Sequence, residues 1–437
     1  MVFEREAETL SREQLTRLQV ERLRAVVGRV AERVPFYRDR FAAIKVGSDD
    51  IRSLADLARL PFTRKGDLRD NYPFGLFAVP RGEVARIHAS SGTKGKPTVV
   101  GYTAGDIELW ARCCARSLAC AGVNPGDVVH NAYGYGLFTG GLGLHYGIER
   151  LGGTVVPASG GNTPRQLLLL QDFGARALCC TPSYALNIAG VMASAGLDRS
   201  ALRLEIGILG AEPWTEELRR RIERSLGIKA LDIYGLSEVM GPGVSMECAE
   251  GRDGLHIWED HFLPEIVDPV SGEQLPDGRF GELVITTLTK EAMPVIRYRT
   301  GDLTALFDAP CPCGRTHRRM ARLSGRTDDM LIVRGVNVFP SEVERVLLEH
   351  PELAPHYEIV VDRRHALDTL EVQAELAAEQ AALLDDITAL ATLRERVNRA
   401  LDAALGISAD VALQAPDTLP RSEGKAQRVR DKRVISY

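Results

Sequence analysis

Seven consecutive positions, Ser90, Ser91, Gly92, Thr93, Lys94, Gly95 and Lys96, hold three hydroxyls, two ammonium groups and two glycines. They sit inside the stretch HASSGTKGKPTVVGYT, from His88 to Thr103. Glycine has no Cβ to hold a ligand away, so backbone N–H groups can converge on phosphate oxygens while the hydroxyls and ammonium groups supply further donors and charge. The chemistry such a loop suits is binding of a nucleotide polyphosphate. It is not a Walker loop, because Pro97 follows where Ser or Thr is needed, and Gly134 and Gly136 fail the dinucleotide fingerprint because Thr139 takes the third glycine's place. A loop of this composition is as often plain mobile surface as a phosphate clamp, so other residues must decide.

A second constellation has metal-ligand character. Cys248 and His256 in MECAEGRDGLH, and Cys311 and Cys313 in CPCGRTH, form two close pairs. Three thiols and an imidazole satisfy the four-ligand tetrahedral requirement of structural zinc, with His317 as the competing nitrogen ligand. The one-residue gap in Cys311-Pro-Cys313 departs from the common two-residue gap, and buried thiols with a solvent-facing histidine are the alternative. The remaining cysteines, Cys113, Cys114, Cys120, Cys179 and Cys180, lie in apolar runs and read as core.

Further polar motifs then follow in order: YGLSE from Tyr234 to Glu238, YRTGD from Tyr298 to Asp302, GRTDD from Gly325 to Asp329, and PRSEGK ending at Lys425. On this order the chain is identified as a member of the acyl-adenylate-forming superfamily. Through DNYPFGLFAVPR (Asp70 to Arg81), AYGYGLFTGGLG (Ala132 to Gly143), GAEPW (Gly210 to Trp214), DIYGLSEVMGPG (Asp232 to Gly243) and LIVRGVNVFPSEVE (Leu331 to Glu344) it resembles the phenylacetate-CoA ligase branch over essentially its whole length.

That resemblance implies ATP, Mg²⁺ and CoA as reactants and cofactors. A carboxylate resists attack by a thiol because oxide is a hopeless leaving group, and transfer to AMP makes a mixed anhydride with a good one. Two anions must meet, so charge neutralisation and positioning dominate. By resemblance Lys425 bridges the carboxylate and the α-phosphate, and Glu238 holds magnesium. Tyr234 lies against adenine, within a nucleotide motif that also includes Asp232, Ile233, Gly235 and Ser237. The loop of Gly210, Ala211 and Glu212 lies beside the base and the acyl group. Asp302 suits the ribose diol, and Arg326 approaches the same sugar or the phosphates. Tyr133 and Phe138, with Gly210, Ala211 and Tyr234, line the aryl pocket, where aromatic walls suit a flat ring. Asp328 is the hinge aspartate. Lys94 stands where the family usually has Thr, which puts triphosphate affinity in question.

The elements that must position these residues are legible in outline. With 437 residues, the chain suits a large domain and a smaller one. The balance of 54 basic and 59 acidic side chains recommends neither nucleic acid nor an anionic membrane. No run approaches the roughly 20 apolar residues of a membrane span, and a cytoplasmic location is the expectation. Ser11 to Gln14 is a capping box opening an amphipathic helix that runs to Pro35. From Ala85 to Leu209 short apolar strands alternate with helices, with Gly153 to Pro157, Ala177 to Cys180 and Leu204 to Leu209 as buried-strand candidates. This predicts an α/β fold, with a large N-terminal domain of mainly parallel sheets over residues 1–327 and a small α+β domain over 328–437. The resemblance implies that the first is an adenylate-forming domain and that the second is mobile. Ligands of such sheets sit beyond the strand C-termini, so one crevice collects the motif loops. The expected activity is an aryl-acid:CoA ligase, with phenylacetate the leading acid. The alternatives are a benzoate-type ligase, an adenylyltransferase acting on a deazaflavin coenzyme, or a nucleotide-sensing protein with a dead site. A homodimer is the base-rate assembly.

Overall fold

The computed structural model describes residues 1–89, 97–327, 330–334, 336–364, 367–421 and 427–433. The Ser11 hydroxyl accepts from the Gln14 amide at 3.2 Å, and the Gln14 side chain accepts from the Ser11 amide at 2.9 Å. This reciprocal cap opens helix Arg12–Arg33, which buries Leu15, Leu23, Val26, Val27 and Val30. Pro35 ends that helix and also begins the next one, Pro35–Ile44, where a first-turn proline loses no hydrogen bond.

Among the described residues the largest sheet has nine strands. Five are parallel, in the order Thr154–Val156, Val128–Asn131, Ala177–Cys180, Ile206–Gly210 and Lys229–Leu236. Beyond Lys229–Leu236 the sheet turns antiparallel through Gly241–Glu247, Leu255–Ile257, Arg319–Met320 and Leu306–Phe307. Successive strand residues face opposite sides: Ala177 and Cys179 enter one core, Leu178 and Cys180 the other. Helices Ala104–Cys120 and Gly140–Leu151 contribute to the first core. Thr163–Asp172, Pro182–Ser194 and Glu216–Leu226 contribute to the second. Burial on both faces is why these strands read as unbroken apolar runs. The candidate strand at Gly153–Pro157 differs. It shortens to Thr154–Val156 and is exposed or half-buried, because it is the sheet's edge and pairs with one neighbour only.

A second, four-stranded antiparallel sheet comprises Phe262–Val267, Gly281–Thr287, Tyr298–Thr304 and Gly325–Arg326, and the chain returns to the large sheet through Leu306–Phe307 and Arg319–Met320 before its last strand. The C-terminal part has its own sheet, ordered Asp410–Gln414, Leu367–Leu376, Leu353–Arg364 and Val429–Asp431, with helices Pro340–Leu348 and Ile387–Leu405. Its core, including Val343, Leu347, Ile359, Val372, Val397 and Leu401, is separate from the other two. Its contacts with the rest include Glu344 Oε1, which accepts from the Thr215 amide at 3.3 Å, Arg221, which donates to the Leu353 carbonyl at 3.3 Å, and Arg428, which reaches Ser183 Oγ at 3.4 Å. They also include Ser341 Oγ, which donates to the Ser324 carbonyl at 3.0 Å, and Leu348, which packs on the second core. Among the described residues no helix is long and apolar enough to cross a membrane.

Candidate active site

The large sheet changes from parallel to antiparallel pairing at strand Lys229–Leu236, and a cleft opens at the C-terminal ends of this strand and Ile206–Gly210. Close backbone approach shapes it. A Cβ on Gly210 would come within 2.1 Å of the Ile233 carbonyl oxygen, and one on Gly235 within 1.8 Å of the Gly241 oxygen. Only glycine allows the strands to meet there. Ala211, next along, has a φ of 71°, a strained value for a residue with a Cβ.

Tyr234, Asp302 and Arg326 converge on this cleft from two different sheets. The Tyr234 hydroxyl donates to Asp302 Oδ2 at 2.6 Å, and Arg326, the cross-strand partner of Asp302, donates to Oδ1. Burial, with the Asp302 charge beside it, pushes the Tyr234 phenol well up, so it remains a neutral donor. Asp232 lines the same cleft; burial raises its carboxyl to about 6, against the pull of Arg322. Glu212 accepts from the Ser183 amide at 2.6 Å, at the start of helix Pro182–Ser194. The cleft thus brings together Ala211, Glu212, Asp232, Ile233, Tyr234, Gly235, Asp302 and Arg326.

Glu238 is buried in the turn just past the strand, and Ser237 Oγ lies 3.1 Å from Thr139 Oγ1. Tyr133 is buried, and its hydroxyl has no hydrogen-bond partner among the described residues. Its surroundings include the acidic groups of Asp232 and Glu212, although burial is the main force raising its pKa. Phe138 is not brought to the cleft and is 54% exposed. The turn that carries it docks elsewhere: the Leu137 carbonyl accepts from the Ala89 amide at 3.1 Å and pairs with His88 Nδ1 at 2.9 Å.

Ser90, Ser91, Gly92, Thr93, Lys94, Gly95 and Lys96, together with Asp328 and Lys425, lie outside the described residues. The strands flanking the first group, Arg86–Ala89 and Val99–Tyr102, are paired antiparallel with Ala89 opposite Val99. Arg428, shortly after Lys425, reaches the same Ser183 whose amide Glu212 holds.

Sequence reasoning missed three residues. Arg322 donates to the Trp214 carbonyl at 2.8 Å, stacks over its ring at 4.6 Å and faces Asp232, so it forms a wall of the cleft. Trp214 lies within the GAEPW motif, which by itself assigns the tryptophan no role. Lys290 belongs to no motif, and a lysine that is 2% exposed is not recognisable from an ordinary TLTKEAM segment.

Away from the cleft, Cys248, His256, Cys311 and Cys313 place their donor atoms within 4.8 Å of one another. Cys248 Sγ is 3.4 Å from Cys311 Sγ, and Cys313 Sγ is 3.3 Å from His256 Nε2. His256 Nδ1 is engaged by the His317 carbonyl at 3.1 Å, which leaves Nε2 to face the sulfurs. The cradle is tight, since a Cβ on Gly251 would meet Cys311 Sγ at 2.9 Å. His317 takes no part. Its Nε2 meets the Ala7 carbonyl at 3.0 Å and its Nδ1 the Glu259 amide at 3.2 Å.

A cleft at the junction of parallel and antiparallel strands, beside a separately folded C-terminal part, defines the class of AMP-binding enzymes. Residues 48–289 match the AMP-binding enzyme family and residues 335–433 its AMP-binding enzyme C-terminal domain. The chain is 56% identical to a phenylacetate-coenzyme A ligase of Thermus thermophilus, covering 99% of this chain and 100% of that protein. It is 55% identical to a protein of the same name from Escherichia coli K12, covering 98% and 97%. The chain belongs to the phenylacetate-coenzyme A ligase family. A crystal structure of 2-hydroxyisobutyryl-CoA ligase in the postadenylation state superposes with a TM-score of 0.91 at 30% identity, over 98% of this chain and 92% of that one. The same enzyme in its thioesterification state, bound to 2-HIB-AMP and CoA, gives 0.73 over 98% and 91%. The arrangement of parts seen here is thus more similar to the first of these two structures than to the second.

Proposed function

We propose that this protein is an aryl-acid:CoA ligase that converts phenylacetate to an acyl-adenylate with ATP and then to the CoA thioester, releasing AMP and pyrophosphate. The observation that carries the reading is full-length identity of 55–56% to phenylacetate-coenzyme A ligases in chains from Thermus thermophilus and Escherichia coli. The cleft is consistent with it in chemical detail.

Asp302 offers two carboxylate oxygens at the cleft, one accepting from Tyr234 and the other from Arg326, and a carboxylate is an acceptor suited to a ribose diol. Tyr234 presents its ring to the base, with Asp232 and the Gly210–Glu212 loop beside it. Tyr133, buried with an unused hydroxyl, forms a wall of the acyl pocket. Glu238 holds magnesium, which when bound neutralises phosphate charge. Ser90 to Lys96 enclose the polyphosphate, and Lys425 joins the two anions. The N-terminal domain is residues 1–327, and residues 328–437 swing about Asp328 to present CoA. Cys248, His256, Cys311 and Cys313 fit structural zinc by donor type, number and spacing. A cytoplasmic homodimer completes the proposal.

The test is a panel of phenylacetate, benzoates and fatty acids assayed for acid-dependent pyrophosphate release with and without CoA. Phenylacetate should lead, and its thioester should form only with CoA. Pyrophosphate release with no acid in the panel, or AMP transfer independent of CoA, would overturn the proposal.

A further inference from the structure

Glu238 sits on a turn that leads into strand Gly241–Glu247, and buried side chains meet the carbonyl oxygens of this stretch one after another. Lys290 Nζ donates to the Val239 carbonyl at 3.2 Å. The Tyr102 hydroxyl donates to that of Met240 at 2.7 Å. Trp110 Nε1 and Cys114 Sγ both reach the Pro242 carbonyl, at 2.9 and 3.2 Å. Lys290 stands 4.1 Å from the Tyr102 ring centre, and that ring stacks on Trp110 with centroids 5.2 Å apart. The turn lies directly on this scaffold. A Cβ on Gly241, whose φ is 120°, would meet Trp110 at 2.4 Å.

Lys290 is itself placed by a fixed device. Asp106, in the first turn of helix Ala104–Cys120, accepts from the amides of Glu291 at 2.7 Å and Ala292 at 2.9 Å, anchoring the backbone just past the lysine. The ammonium is enclosed, with the carboxylates of Asp106 and Glu238 as its charged neighbours. A cation buried at this depth is costly unless it is paired, and here its hydrogen bond goes to the backbone of the residue after Glu238.

We propose that Lys290 is a positioning residue for adenylation: held between the Tyr102 ring and the Val239 carbonyl, it fixes the turn so that the Glu238 carboxylate is aimed at magnesium before nucleotide arrives. The inference rests on the reading of Glu238 as the magnesium ligand. Neither Lys290 nor Tyr102 is among the residues that line the cleft. Their loss disturbs the metal-dependent half-reaction and leaves attack of CoA on preformed acyl-AMP, which uses no magnesium, largely alone.

The experiment measures acid-dependent pyrophosphate release against free Mg²⁺, and separately CoA consumption of supplied phenylacetyl-AMP, for Lys290→Met, Tyr102→Phe and Glu238→Gln. Loss of a charged hydrogen bond in Lys290→Met should raise the half-saturating Mg²⁺ about tenfold, with the second half-reaction within about twofold. Tyr102→Phe keeps the ring and loses one donor, so about threefold is expected; it carries the test if the lysine variant does not fold. Equal loss of both half-reactions at unchanged Mg²⁺ dependence would overturn the proposal. If only Glu238→Gln raises the Mg²⁺ requirement, the positioning role alone fails. If Glu238→Gln leaves that requirement unchanged, the reading of Glu238 fails and the proposal with it.

Discussion

Replacing Tyr234 by Phe separates two jobs that one residue does in the cleft. The ring stays as a wall, while the hydroxyl that donates to Asp302 Oδ2 at 2.6 Å is lost. Asp302 then keeps Arg326 on its other oxygen. A hydrogen bond to a charged carboxylate contributes about 1.5–3 kcal/mol when nothing replaces it. Because the cleft opens to solvent, water recovers part of this, and about 1.5 kcal/mol is the figure to expect. If Asp302 binds the ribose, that loss appears as a roughly tenfold weaker affinity for ATP.

The assay is ATP binding by calorimetry together with the KM for ATP in acid-dependent pyrophosphate release. A weaker ATP affinity, an unchanged KM for phenylacetate and little change in thermal midpoint are expected. Asp302→Asn should be worse, because it leaves Arg326 facing a neutral partner, and breaking a buried charge pair costs several kcal/mol. Unaltered ATP affinity accompanied by a lower thermal midpoint would refute the reasoning, since the bond would then hold two sheets together and nothing more.

Lys425→Ala should abolish pyrophosphate release yet leave CoA attack on supplied acyl-AMP within about tenfold, read by single-turnover kinetics of each half-reaction. Protein purified without chelator should carry about one zinc per chain by elemental analysis, a full tetrahedral set needing one ion. Cys313→Ala should lose the metal and loosen the Cys311–His317 loop, where Arg315 holds Glu8 at 2.6 Å. His356 is pushed down to about 4, first by burial and then by Arg421. The unfolded chain takes up a proton near pH 6.5 that the folded one refuses until about 4, so stability falls as pH drops through that window. A loss of about 2 kcal/mol is expected in denaturant titrations, absent in His356→Gln.

The large sheet was legible because its strands are buried on both faces, and the capping box at Ser11 because its signal is local. The edge strand at Thr154–Val156 was misjudged as buried, since nothing in a short apolar run reveals how many neighbours it will have. The clustering of Cys248, Cys311 and Cys313 with a histidine was readable from residue type, whereas the choice of His256 over His317 depended on which imidazole the fold turns toward the sulfurs. Asp302, Arg326 and Tyr234 were legible only through motif order. Their meeting is a product of two sheets that pattern reasoning cannot dock. Phe138 shows the limit of that reasoning: its run is rich in glycine and aromatics, yet the backbone bonds of Leu137 leave the ring outside.

The contacts between the C-terminal part and the rest bear on how one cleft serves two reactions. Among the described residues they include long bonds, at 3.3 Å for Glu344 with Thr215, 3.3 Å for Arg221 with Leu353 and 3.4 Å for Arg428 with Ser183, together with a 3.0 Å bond from Ser341 Oγ to the Ser324 carbonyl next to the crossing point of the chain. Hydrogen bonds at the far end of the distance range contribute little. Burial raises the pKa of Glu344, with nearby Arg428 opposing, so separating this carboxyl from the interface restores its hydration and offsets the bonds lost. The short bonds, Tyr234 to Asp302 and Ser183 to Glu212, both lie within the N-terminal part. A swing of residues 328–437 would therefore break mostly long bonds and leave the Tyr234–Asp302 and Ser183–Glu212 pairs in place. An acyl-adenylate formed in one arrangement would stay bound while the other is assembled around it.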